Sequence, residues 1–403
     1  MSKDFLYIAD GKLFSFREGA EKEIPSAVLE GYKKRLSDSI QRNEWKQNGS
    51  GAAFMGTARQ GADLNSQLAD VHSVISNVAS DGDTLIYSID ISGQTGLYRT
   101  DYDGRDCGIV QSSGTKSYFD FDIYNGRIAF SSALAGQSHI GTRTLGQNDS
   151  NVYTDGDSWD FQPVFSRHEQ GKIYFCSSGL KITNTENNEQ RPMSYADIYR
   201  QIMTAGAASV RGPASINLLD PTAGTLDTVL EDSDSDYLHP QSMKDGTLYY
   251  IRRPYTDKSS QTNPLGCLLD IVLLPFRILK AFFGFFSVFS MKYSGQPLDR
   301  STKAKDEKQM FIDGNMIDAG QAMKENAAKG EEDPGIIPRS WELHRLSPDG
   351  KDEIVRRGVA AYRVYDDGSI LFSNGSAVKE GVFENGKFTE KKICSAKRVT
   401  FIQ

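Results

Sequence analysis

The side chains of this chain that could do chemistry are few and widely spaced. The run Asp232-Ser233-Asp234-Ser235-Asp236 sets carboxylates at alternate positions, as a calcium loop begins. Tyr237 then stands where such a loop needs glycine, and Met243 where it needs glutamate, so a solvated connection fits better than a metal site. Asp155, Asp157 and Asp160 form a second acidic group. Asp155, Asp157, Asp232, Asp234 and Asp236 are therefore the candidates for attracting a cation or a basic partner. His72, His139, His168, His239 and His344 stand singly, without H-E-x-x-H or H-x-H spacing. Cys107, Cys176, Cys267 and Cys394 form no C-x-x-C pair, so neither a zinc knuckle nor a disulfide framework is indicated. No G-x-S-x-G elbow or G-x-x-x-x-G-K-[ST] phosphate loop occurs. The Gly-rich GSGAAFMG after Trp45 follows a helix pattern, the wrong context for a dinucleotide fingerprint. No catalytic residue, cofactor or metal ligand is assigned.

The strongest feature is apolar. Residues 265–291 read LGCLLDIVLLPFRILKAFFGFFSVFSM inside an otherwise polar chain. Pro275 breaks the run, leaving a short piece that includes Leu273 and Leu274 and a longer one from Phe276 to Met291. On the longer piece Arg277, Lys280, Gly284 and Ser287 align as one narrow polar stripe. Length would allow a membrane span, but Asp270, Arg277 and Lys280 would each cost ~2.5–3.5 kcal/mol near the bilayer centre. A helix lying in the interface, or a hairpin bent at Pro275, lets Arg277 and Lys280 reach headgroups. Phe282, Phe283, Phe285, Phe286 and Phe289 then enter the acyl region. Burial against another protein, or against the chain's own body, is the alternative.

Composition bounds the rest. Of 403 residues, 38% are hydrophobic and 25% charged, with 37 glycines, which describes a globular protein rich in turns. The net charge of -7 disfavours nucleic acid as a partner and gives no general attraction to anionic lipid. The N-terminus MSKDFLYIADG lacks the apolar stretch of a signal peptide, so cytoplasmic synthesis is expected.

Short alternating or β-branched runs recur between Asp-Gly and Asn-Gly pairs, which supply the positive φ that tight hairpins require. Asp81-Gly82, Asp103-Gly104 and Asn125-Gly126 are 22 residues apart, and Asp349-Gly350, Asp367-Gly368 and Asn385-Gly386 are 18 apart. Two turns per unit imply a repeat of roughly 36–45 residues, the period of a four-stranded antiparallel blade. Units begin at Val74, Ser117, Trp159, Tyr237 and Ala360. The N-terminus offers three strands, FLYIAD, KLFSF and EKEI, and the C-terminal RVTFIQ supplies the fourth, which removes open edges. The expectation is an all-β, six-bladed β-propeller over residues 1–403. A seventh blade follows if the Gly-rich stretch after Trp45 holds further strands.

This repeat resembles the TolB-like (WD40-like, PD40) propeller family. The family's unit reads approximately P-x-[WF]-S-P-D-G-x-x-I-x-[FY]-x-S, and PVFSRHEQGKIYFCSS (163–178) and PQSMKDGTLYY (240–250) look like degenerate copies. The resemblance covers about two thirds of the chain and implies a fold without a particular partner.

Three insertions interrupt the pattern, at 25–70, 181–214 and 254–339. In a meander, second-to-third-strand loops and blade-to-blade connections share one face, so helical insertions should build up a single face. PSAVLEGYKKRLSDSIQRNEWK reads as a helix begun by Pro25, with Val28, Tyr32, Leu36 and Ile40 on one stripe. SYADIYRQIMTAGAAS reads as a second, and Ser301 to Asp333 as a polar, charged tether with helical stretches such as DAGQAMKENAAKG, returning to Trp341. The resulting reading is a non-enzymatic scaffold with a protein partner on its built face and peripheral contact with membrane lipid. Two alternatives stay open: a lactonase-like propeller hydrolase with a metal in its central channel, and a subunit that buries the apolar segment in a neighbour.

Overall fold

Antiparallel strands joined by tight turns dominate the computed structural model, which describes residues 3–47, 71, 73–134, 137–181, 210–255, 309–312, 315–384 and 387–403. The chain divides into two units, one comprising residues 1–25, 74–257 and 309–403, the other the remainder. The SYADIYRQIMTAGAAS helix, the GSGAAFMG stretch and the apolar segment 265–291, with its ten contact candidates, lie outside the described residues.

Strands β1 (Phe5–Ala9), β2 (Lys12–Arg17) and β3 (Ala20–Ile24) form a meander. Helix α1 (Ala27–Gln47) follows in the second unit. Its cap is Ser26 rather than Pro25: the Ser26 hydroxyl accepts the Leu29 N–H at 3.2 Å. Val28, Tyr32, Leu36 and Ile40 are half-buried. Four strands, β4 (Ser73–Asp81), β5 (Thr84–Ile91), β6 (Gln94–Thr100) and β7 (Asp106–Ser112), make the next sheet.

The meanders β8 (Ser117–Tyr124), β9 (Arg127–Leu134), β10 (Gln137–Thr144), β11 (Ser150–Val152) and β12 (Ser158–Phe165), β13 (Ile173–Lys181), β14 (Val210–Asp220), β15 (Thr225–Leu230) differ from expectation. They share one eight-stranded sheet, because Ser138 of β10 pairs parallel with Trp159 of β12. Asn125 (φ 50°) and Gly126 (φ 71°) both take the positive φ that the tight β8–β9 turn demands.

β16 (Ser235–Ser242) and β17 (Leu248–Pro254) begin a further sheet. Between them and the rest of that sheet come the hairpin β18 (Gln309–Ile312), β19 (Asn315–Asp318) and helix α2 (Ala319–Ala328). The sheet is completed by β20 (Glu342–Leu346) and β21 (Asp352–Arg357), and the last full one is β22 (Ala361–Val364), β23 (Ile370–Ser373), β24 (Val378–Glu384), β25 (Lys387–Cys394).

The helical stretch expected in DAGQAMKENAAKG is α2, but the tether over 301–333 is corrected from Gln309 onward, where the chain is folded. Ile312, Ile317, Ala319, Ile336, Ile337, Trp341 and Ala360 form a core. Asp318 caps α2 by accepting the Gln321 N–H at 2.8 Å, and the buried Asn326 amide donates to the carbonyls of Gly335 (2.8 Å) and Ile337 (3.0 Å). Glu331 is held by Arg339 (3.1 Å) and Arg356 (3.0 Å).

Strand β26 (Val399–Ile402) joins β1, giving the order β26-β1-β2-β3, and Leu6 and Gln403 exchange backbone hydrogen bonds of 2.9 and 2.8 Å. Around the ring β8 lies beside β12, β12 beside β16, β16 beside β22, and β22 beside β26. Apolar faces meet between sheets: Phe5, Tyr7 and Phe16 pack with Ala361, Leu371 and Val378, and Ile86 and Leu97 with Phe121 and Phe130. Meanders packed face to face, with first strands inward and the termini sharing one sheet, are a mainly-β propeller.

Lys3 extends the closure by pairing with Asp367 at 2.7 Å while lying 4.3 Å above the Tyr365 ring. The Lys3 ammonium, followed by the Ser369 hydroxyl and N–H, holds the Asp367 carboxyl below its ordinary value. A carboxylate lowered in the fold contributes stability above its ordinary pKa of 3.8 and loses it as pH falls toward the folded value. Lys3→Met is expected to move the Asp367 titration upward in carbon-detected NMR, and an unchanged titration would refute the clamp.

Candidate functional site

The first strands crowd together around the ring, and their polar residues meet there. Pro163 and Pro240 lack an N–H for the ladder, and at each the pairing register shifts, between Phe161 and Val164 on β12 and between Leu238 and Gln241 on β16. The preceding residues, Gln162 (φ 51°) and His239 (φ 53°), take the left-handed conformation, which turns their polar groups out of the ladder.

Those groups link one sheet to the next. Gln162 N–H donates to Asp120 Oδ2 at 3.1 Å, His239 N–H donates to Gln162 Oε1 at 2.7 Å, and the Tyr362 hydroxyl donates to the His239 carbonyl at 2.5 Å. Cys176 Sγ also donates to Gln162 Oε1, at 3.4 Å. With two donors at Oε1, the Gln162 amide presents Nε2 to His239 Nε2 at 3.2 Å, so that ring nitrogen accepts and the imidazole carries its proton on Nδ1.

One level along, Asp122 accepts from Phe165 N–H (2.9 Å) and from Arg167 Nη2 at 3.0 Å through both oxygens. Gln241 brackets Val364, accepting its N–H (2.9 Å) and donating to its carbonyl (2.6 Å). Asn77 on β4 donates to the Phe121 carbonyl at 3.0 Å. Burial raises the Asp122 carboxyl, with Arg167 pulling against it. Burial likewise lowers the Arg363 guanidinium, and Asp122 opposes that shift.

The belt's amide and carbonyl groups do not titrate at neutral pH and act as fixed donors and acceptors between the sheets, and the His239 ring is bonded to an amide. Buried His344 faces carboxylates through both ring nitrogens, Asp352 at 3.0 Å and Glu342 at 3.2 Å, and stacks on Tyr250. Among the described residues, no group of three or more His, Cys, Asp or Glu side chains could hold a metal ion.

The acidic candidates separate into different roles. Asp232 accepts the Asp234 N–H (3.1 Å) and the Ser235 hydroxyl (3.0 Å) and pairs with Arg252 at 3.1 Å. The Asp234 hydrogen bond, then the Ser235 hydroxyl and Arg252, lower its carboxyl. Asp234 is exposed. Asp236 is not solvated as expected: it is buried on β16, paired with Arg253 at 3.1 Å and accepting the Ala214 N–H at 2.9 Å. Asp157 is exposed and accepts from Gln137 at 2.9 Å, while exposed Asp155 and buried Asp160 line one cavity between the two fused meanders. Strand alternation does not reveal the belt; its mark in the sequence is the doublets Gln162-Pro163 and His239-Pro240 at matching places in two repeats.

No protein-family model matches the chain, and neither does any curated protein. Its structural neighbours are TolB propeller domains and related propellers. TolB from Acinetobacter baumannii is 9% identical over 99% of this chain and 65% of its own, with a TM-score of 0.47. A putative TolB from Agrobacterium tumefaciens is 9% identical over 63% of this chain and 67% of its own, at 0.37. A chain of a nidogen/laminin complex is 8% identical over 99% and 97%, at 0.45. At these TM-scores none transfers a partner or an activity to this chain.

Among the described residues, no helix is long and apolar enough to cross a membrane.

Gln162→Leu would leave the His239 N–H without its acceptor, at a cost of about 1–3 kcal/mol. A double-mutant cycle with His239→Ala, which keeps that backbone N–H, reads the side-chain contact between Gln162 Nε2 and His239 Nε2: it should return a coupling of about 0.5–1.5 kcal/mol in urea unfolding, and additivity would remove that contact. Burial pushes the Cys394 thiol up to about 11 and encloses Cys176, whereas Cys107 is exposed. Iodoacetamide near neutral pH should therefore label Cys107 before either, by peptide mass spectrometry. Equal labelling of Cys176 would contradict its burial.

Proposed function

We propose that the chain is a six-bladed propeller, with the eight-stranded sheet counted as two blades, that works as a non-enzymatic binding scaffold. The observation that carries this reading is where the chain leaves the sheets. The three longest departures follow β3, separate β13 from β14, and separate β17 from β20. In a meander all three depart from the same ends of the strands. Binding residues concentrate on elaborated loops held by a rigid frame, and the hydrogen-bonded belt supplies that rigidity. A protein partner would dock on these insertions.

The segment 265–291 adds a lipid contact to the proposal. Its support is the sequence: a wide apolar helical face beside Arg277 and Lys280 has the chemistry of an interfacial helix. Flotation with liposomes is expected to carry the full chain upward, and a variant lacking Leu265 to Met291 should stay behind with an unchanged β-type circular dichroism spectrum. Equal flotation of both proteins would sink the lipid contact. A discrete oligomer in detergent-free size-exclusion chromatography, without flotation, would reassign the segment to burial in a second protein surface.

A further inference from the structure

Strand β11 is unusually short. It spans Ser150–Val152, all exposed, whereas the next meander extends outward to β15. The inner half of that interface is filled by Ala129, Ile140, Phe165, Ile173, Phe175 and Leu219. Further out nothing on β11 reaches across, and Leu226 is left 56% exposed. The gap is a cavity of about 360 Å³, with Phe175 and Leu219 on its apolar wall and Asp160, Ser177, Ser215 and Asn217 on the polar one.

The polar wall of the cavity is partly bonded within the protein. The Ser177 hydroxyl donates to Asp160 Oδ1 at 2.6 Å, the Ser215 hydroxyl to the Ser177 carbonyl at 3.2 Å, and the Asn217 amide to Ser215 Oγ at 3.0 Å. These three bonds lie within the protein. The second oxygen of Asp160 and the whole Asp155 carboxylate accept no hydrogen bond from the described residues, although Asp160 is only 2% exposed. No lysine, arginine or histidine lines the space. A carboxylate so enclosed calls for a cation that also donates hydrogen bonds. The donor set is too small for a metal, since no three candidate ligands converge among the described residues.

We propose that this cavity binds a primary alkylammonium group, held by Asp160 with Asp155 at the mouth, its hydrocarbon chain lying along Phe175 and Leu219. The proposal is independent of the scaffold reading. The same chemistry arrives either as a free alkylamine or as the lysine side chain of a docked protein.

The test uses calorimetric titration of the full chain with n-pentylamine, with N-acetyl-lysine methylamide, and with 1-pentanol as the uncharged control. At least one amine should bind while pentanol does not. Asp160→Asn keeps an acceptor for Ser177 and removes the charge, so it should weaken amine binding by about tenfold or more. Asp155→Ala, at an exposed position, should weaken it less and serves as the deciding variant if Asp160→Asn fails to fold. Binding of the capped lysine identifies a protein partner as the source, and binding of pentylamine alone identifies a free amine. Binding of pentanol equal to the amines, affinity retained in the folded variants, or binding by neither amine would overturn the proposal.

Discussion

The first strands of the propeller depend on hydrogen bonds that run sideways, from one sheet to the next. Within each sheet the ladder satisfies the backbone, but at the inner edge the strands would expose a row of unpaired groups. Bulges at Gln162 and His239 resolve this by turning backbone and side-chain groups toward neighbours: Asp120, Gln162, His239 and Tyr362 connect β8, β12, β16 and β22 in sequence. Each bond adds only about 0.5–1.5 kcal/mol net, yet breaking one strands a buried partner at about 1–3 kcal/mol. The belt therefore governs register more than total stability. A sheet rotated or shifted by one residue would lose several partners together.

Closure follows the same logic at the termini. The N-terminal meander lacks an inner strand, and β26 fills that position by pairing Tyr7 with Ile402 and Ile8 with Phe401. Arg398 to Asp10 (3.0 Å) and Lys3 to Asp367 (2.7 Å) fasten the two ends to adjoining turns. Both pairs are partly exposed, so their worth is small beside the apolar faces that meet across the same seam.

Much of the fold was legible because strand alternation and Asp-Gly turns are local signals. The unit from Val74 and the unit from Ala360 correspond to β4–β7 and β22–β25 for that reason. The belt was not legible, since a bulge breaks the two-residue period on which strand reading rests, and its partners are tens of residues apart. The parallel contact between Ser138 and Trp159, which fuses two meanders, likewise leaves no mark on either segment. Within residues 309–341 the helix was legible but the small core was not: Ile312, Ile317, Ile336 and Ile337 are too sparse to show a period, yet they converge on Trp341. The acidic run from Asp232 to Asp236 looked uniform, but strand β16 starts inside it at Ser235, so Asp236 is buried within the sheet while Asp234, just before the strand, stays in solvent.

The burial of Asp236 has a structural consequence for the insertions. Asp236 and Arg253 form a buried pair, 10% and 7% exposed at their side chains, and Arg253 lies 4.8 Å from the centre of the Trp341 ring. Asp236 also accepts the Ala214 N–H, and the Tyr255 hydroxyl donates to the Arg211 carbonyl at 2.6 Å. Arg211 and Ala214 stand where the chain re-enters β14, Arg253 and Tyr255 where it leaves β17, and Trp341 where it returns to β20. A buried ion pair is a weak source of stability, because desolvation offsets its attraction. Its value is geometric: charge and hydrogen bonds tolerate little displacement, so one pair fixes the roots of two excursions. Loops anchored this way can vary in length and sequence without moving the strands that carry them, which is the condition a scaffold must meet before its insertions can diversify.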